Sequence, residues 1–153
     1  AVWPHVVGFA PLDPPEHWLF KAGVAAPMRA RIEGEGVGAV RHCEFTTGAF
    51  VEPITVWNPP HHLAFDVTSQ PPSMREMGLW PVVHAPHVEG TMSSQRGEFR
   101  LQALPGGRTR LTGTTWYTLD LAPEAYWRLW SDGVVHLIHE RVLRHIARLA
   151  EAG

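Results

Sequence analysis

The stretch PEAYWRLWSDGVVHLIHERVLRHIARLAEAG, residues 123–153, decides the fold. All fourteen prolines lie at or before Pro123, so nothing beyond it interrupts a helix. Pro123 itself sits where a missing N–H costs nothing. At 100° per residue, with Val134 as origin, Trp127, Trp130, Leu137, Ile138, Val142 and Leu149 fall within roughly 80° of it. That broad apolar stripe predicts a helix over 124–151 packed on a sheet, with Arg141 and His145 inside the stripe. Asp132, His136 and His139 fall on the opposite side, beside Leu129 and Leu143. Arg144 and Arg148 suit the negative end of the helix dipole.

Upstream, short runs of period-two alternation recur between Gly and Pro punctuation, which predicts antiparallel strands near 3–9, 27–34, 38–45, 49–57, 62–69, 91–104 and 108–121. Prolines 14 and 15 open a short helix between the first two strands, and Pro105-Gly106-Gly107 makes a hairpin turn. Alternation also assigns faces. Leu63, Phe65 and Val67 point to the core, as do Phe99, Leu101 and Ala103, and then Leu111, Thr115, Tyr117 and Leu119 with Gly113 among them. The strand at 49–57 places Phe50, Ile54 and Val56 on one face and Glu52 with them, unless a bulge at Pro53 shifts the register.

The chain has 153 residues, 44% hydrophobic and 18% charged, which is one globular domain with a core that needs no disulfide. Cys43 is the single cysteine, so no internal bridge forms and the redox compartment stays open. Thirteen basic against fifteen acidic residues, with Lys21 the only lysine, argue against nucleic acid as a partner. No apolar run reaches the ~18 to 20 residues of a membrane span. A start at Ala1 rather than Met is expected of a processed chain or a segment of a longer protein.

Strands, a short helix, further antiparallel strands and one long C-terminal helix describe a helix-grip arrangement of α+β class. In Gly38–Gly48, Phe50–Ile54, Arg108–Tyr117, Tyr126–Asp132 and His136–Leu143 the sequence resembles the START-like (SRPBCC) superfamily, and within it the polyketide cyclase/dehydrase-like group. That resemblance implies a curved sheet of six to seven strands gripping the helix, with an apolar cavity between them for a lipid, sterol or polyketide-like molecule. It implies no cofactor and no shared catalytic motif. It also places the chain in the cytoplasm, tethered to a membrane in full-length relatives that carry membrane segments.

Glu52 is the first candidate for chemistry, because a carboxylate among apolar neighbours has a raised pKa and can serve as a general acid or base. The alternatives are an ion pair with Arg41 or Arg29, or exposure through the Pro53 bulge. On one strand Arg41 and Cys43 face one way while His42 and Glu44 face the other, so His42 joins Glu52 as a proton-transfer pair only if its face is the inner one. Cys43 reads as a buried small hydrophobe rather than a nucleophile. His84-x-x-His87 and His136-x-x-His139 have a spacing that permits a shared metal, yet no Cys pair or further ligand accompanies them, and Asp132 offers His136 an ion pair instead. No metal site is expected.

The segment Gln70–Gly90, with Met74, Met77 and Trp80, is expected to be a gate over a greasy ligand or a fixed cover. Phe65, Tyr117, His87 and Trp130 are expected on the cavity wall, with Trp116 and Trp127 in the core beside it. Arg41, Arg141 and His145 are expected to meet a ligand's polar end, unless Arg141 snorkels to solvent. Three readings result: a binding module for a hydrophobic molecule, an acid/base enzyme of cyclase or dehydratase type using Glu52 and His42, and an interaction domain using the Leu129/His136/Leu143 face.

Overall fold

The computed structural model describes residues 1–74 and 92–153. Six antiparallel strands follow one another as a meander: β1 (Pro27–Glu33), β2 (Val40–Phe45), β3 (Gly48–Asn58), β4 (His62–Asp66), β5 (Met92–Leu104) and β6 (Arg108–Leu119). Two short helices, α1 (Trp3–Val7) and α2 (Trp18–Lys21), precede them, and α3 (Glu124–Ala152) ends the chain. The architecture is α+β, with the sheet curled into a half-barrel and α3 touching both edge strands, β1 and β6.

Turn chemistry sets the meander. Gly106 and Gly107 adopt φ of 78° and 70° between Leu104 and Arg108, a conformation that side-chain-bearing residues rarely take. Proline 27 opens β1, where a missing ladder donor is tolerated. The core gathers Ile54, Leu63 and Leu101 from the sheet, Val142 and Ile146 from α3, and Val6 and Phe9 from the N-terminal segment.

Several expectations change. Residues 3–9 do not form a strand: Pro4 lies in the first turn of α1, where its fixed φ favours a helix, and only Phe9 bridges to Ala30. The short helix starts at Trp18 rather than at the prolines, capped by His17, whose Nδ1 accepts from the Leu19 amide at 3.3 Å. In β3 the register shifts between Ile54 and Val56, past Pro53, so Trp57 rather than Val56 packs on the core. Ala103 is exposed near the end of β5. Beyond Asp66 the chain leaves the β4 ladder, and Ser69 bridges to Val51.

The long helix is present but turned. Residues 122–130 are exposed, and the buried positions of α3 are Val142, His145 and Ile146. Its inward face therefore runs through Ile138, Val142 and Ile146, about a quarter-turn from the Val134 line.

Candidate functional site

Arg41 on β2 and Glu52 on β3 are directly opposite across the ladder. Their side chains are only 2% and 7% exposed, and Nη1 of Arg41 donates to Oε2 of Glu52. Nε of Arg41 donates to the Val7 carbonyl at 3.1 Å, which ties β2 to the end of α1. The guanidinium carbon lies 5.8, 5.4 and 5.6 Å from the ring centres of Phe9, Phe65 and Phe99, so aromatic faces surround the cation. Burial lifts the Glu52 carboxyl above the usual glutamate range, and the opposing pull of Arg41 does not cancel it. Because a guanidinium stays protonated, the two groups form a balanced charge pair rather than a free base.

Phe65 reaches this position because residue 97 is glycine. A Cβ there would lie 2.6 Å from the Phe65 ring. At Gly113 a Cβ would meet Phe99 at 3.4 Å, ordinary van der Waals contact, so the close fit at this sheet lies at Gly97 rather than Gly113.

Between the inner face of the sheet and α3 lies a pocket of about 150 Å3. Cys43, Phe45, Phe50, Phe65 and Phe99 line it from the sheet, and Val135, Ile138, Val142 and Leu143 from the helix. Gln70 is held against β5 by both ends of its amide, donating to the Met92 carbonyl at 2.6 Å and accepting from the Ser94 amide at 2.7 Å. Pro71, Pro72 and Ser73 continue the wall. Cys43 faces inward, and burial followed by the Glu52 charge pushes its thiol up to about 12, which leaves it unreactive near neutral pH.

Helical periodicity puts two wall residues, His139 and Leu143, on the wrong side. His139 lines the pocket, and its Nε2 lies 2.8 Å from Oγ1 of Thr115 on β6. Burial, assisted by His136, lowers its pKa and keeps the ring neutral near pH 7. The available signal was Thr115 on the inward face of β6; what was missing was the rotation of α3.

The expected site divides. Arg41, Phe65 and Glu52 line the pocket. His42 does not: it pairs in register with Val51, on the face opposite Glu52, and its Nε2 lies 3.6 Å from Glu33. The His42/Glu52 dyad therefore has no shared substrate position. Tyr117 donates to Asp132 on α3 instead of lining the pocket, so Asp132 serves Tyr117 rather than His136. Trp130 is 48% exposed and Trp127 38%, in the exposed run 122–130, while Trp116 is 36% exposed with Arg96 over its ring at 4.1 Å.

Arg141 and His145 hold the N-terminal segment instead of a ligand. Arg141 donates to the carbonyls of Pro27 and Asp13, and Nε2 of His145 donates to the Ala10 carbonyl at 3.0 Å. Met74 is 39% exposed and bridges to Val24, outside the pocket. Trp80, His87 and most of the proposed gate lie outside the described residues. The Leu129/His136/Leu143 face is also split, since Leu143 lines the pocket.

Among the described residues no cluster of three or more His, Cys, Asp or Glu side chains is arranged to hold a metal, and no helix is long and apolar enough to cross a membrane. No family model matches the chain, and comparison with curated proteins and with solved structures gives no match.

Proposed function

We propose that the chain binds a hydrophobic small molecule in the pocket between the half-barrel and α3, as a START-like domain holds its ligand. One observation supports this reading: among the described residues the wall of a space of about 150 Å3 is mainly apolar, with four phenylalanines from the sheet and Val135, Ile138, Val142 and Leu143 from the helix, and its charged side chains, Arg41 and Glu52, neutralise each other. A mainly apolar space of this size favours an apolar guest. Removing His42 from the site leaves the acid/base reading without its second group.

Titration with benzene, followed by amide NMR, tests the binding reading. Saturable shifts at Phe65, Phe99, Ile138 and Val142 are expected. A folded protein whose spectrum does not change at these positions up to the solubility limit of benzene overturns it. Native mass spectrometry of freshly purified protein identifies any molecule already held.

A further inference from the structure

We propose that this pocket takes a compact, uncharged, ring-shaped molecule carrying one hydroxyl group, held with that hydroxyl at His139 and Thr115. The inference rests on the pocket-binding reading and adds a ligand class to it. Size sets the first limit. A space of about 150 Å3 accepts a single ring of benzene dimensions, whereas drug-sized ligands occupy pockets of roughly 300 to 1,000 Å3. The walls agree in shape, because Phe65 and Phe99 meet at a centroid distance of 6.2 Å and present ring surfaces to the space.

Charge sets the second limit. The charged side chains on the described wall are Arg41 and Glu52, and each is spent on the other. A carboxylate ligand finds no unmatched cation there, and an amine finds no unmatched anion. Either would enter at the full cost of desolvation.

Hydrogen bonding sets the third. The amide of Gln70 is occupied at both ends. The His139–Thr115 couple is not. A neutral imidazole has one donor and one acceptor, and a threonine hydroxyl can do both. If Thr115 donates to Nε2, then Nδ1 of His139 carries the remaining proton. If Nε2 donates, Nδ1 is an acceptor and the Thr115 O–H is left to donate. No hydrogen bond occupies Nδ1 among the described residues. In either tautomer the couple shows the pocket polar capacity that a hydroxyl, itself donor and acceptor, can match. A carbonyl matches only one of the two.

Phenol, benzene, benzoate and palmitate, titrated into the intact chain by calorimetry with NMR mapping, test the assignment. Phenol is expected to bind roughly 2- to 10-fold more tightly than benzene, the value of one net hydrogen bond. In Thr115→Val and His139→Leu that ratio is expected to fall to about one, with phenol shifts lost at residues 115 and 139. Thr115→Val changes shape little, so its result stands if His139→Leu fails to fold. Equal binding of phenol and benzene by the parent chain overturns the hydroxyl anchor while leaving the apolar pocket in place. Preference for benzoate or palmitate overturns the limits of charge and size. Binding of neither benzene nor phenol overturns the pocket reading and this inference with it.

Discussion

Replacing Glu52 by Gln removes one charge from a pair whose members are 2% and 7% exposed. Arg41 cannot respond by losing its proton, so its guanidinium becomes a lone cation among Phe9, Phe65 and Phe99. Breaking a buried pair in this way costs ~3–5 kcal/mol. For a domain whose total stability is ~5–15 kcal/mol that is about a fifth of it at the least. With ~2–4 °C per kcal/mol at this chain length, the midpoint should fall by roughly 6–20 °C. Arg41→Met should cost a similar amount, since it strands the carboxylate and also orphans the Val7 carbonyl that accepts from Nε. Both charges are buried, so removing either one strands the other. The double variant Arg41→Met/Glu52→Leu should therefore be more stable than either single variant. Urea denaturation of all four proteins, with the slope checked for constancy, gives the cycle. A Glu52→Gln loss below about 1 kcal/mol, or single losses that simply add, refutes the account of a desolvated, mutually dependent pair.

Three further outcomes follow from other parts of the fold. Cys43, with its thiol pushed up to about 12, should resist a thiol-disulfide reagent in the native state at neutral pH and react fully in guanidinium; rapid native labelling would contradict its burial. Gly97→Ala forces a Cβ to 2.6 Å from the Phe65 ring, so it should destabilise by ~1–3 kcal/mol in urea, and a neutral result would show that Phe65 moves freely. Arg29, followed by Arg31, holds the Glu44 carboxyl below the usual glutamate range, so this carboxylate contributes stability above its ordinary pKa near ~4.3 that is lost as pH falls through the lower folded value. Glu44→Gln should therefore move the acid-unfolding midpoint of the parent to higher pH, and an unchanged midpoint would remove the ion pairs from the stability account.

Period-two alternation placed Leu63, Phe65, Leu101 and Glu52 on the inner face, because burying one face of a strand leaves a mark at every second residue. The same logic separated Arg41 from His42 but left open which of them faced inward. The ladder decides that through the pairing of Arg41 with Glu52. Alternation failed at Val56, where the shift after Ile54 exchanges faces, because a bulge has no reliable mark beyond the nearby proline. It failed again at residues 3–9, where a run of apolar residues is equally compatible with one turn of helix, and Pro4 was the overlooked sign.

The helix shows why the polar anchor was harder to find than the ion pair. Rotation about Val134 puts Trp127 and Trp130 on the apolar stripe, yet those side chains remain 38% and 48% exposed in the first turns of α3. At 100° per residue, Ile138, Val142 and Ile146 lie about 40°, 80° and 120° from Val134, so the face they define is centred about 80° from that residue. His139 lies about 140° from Val134 but only about 60° from the centre of the buried face, which is why an origin at Val134 places it on the far side. Once the face is set by the buried residues alone, His139 turns toward Thr115, and two polar side chains that looked unrelated in sequence become one hydrogen-bonded couple on a mainly apolar wall.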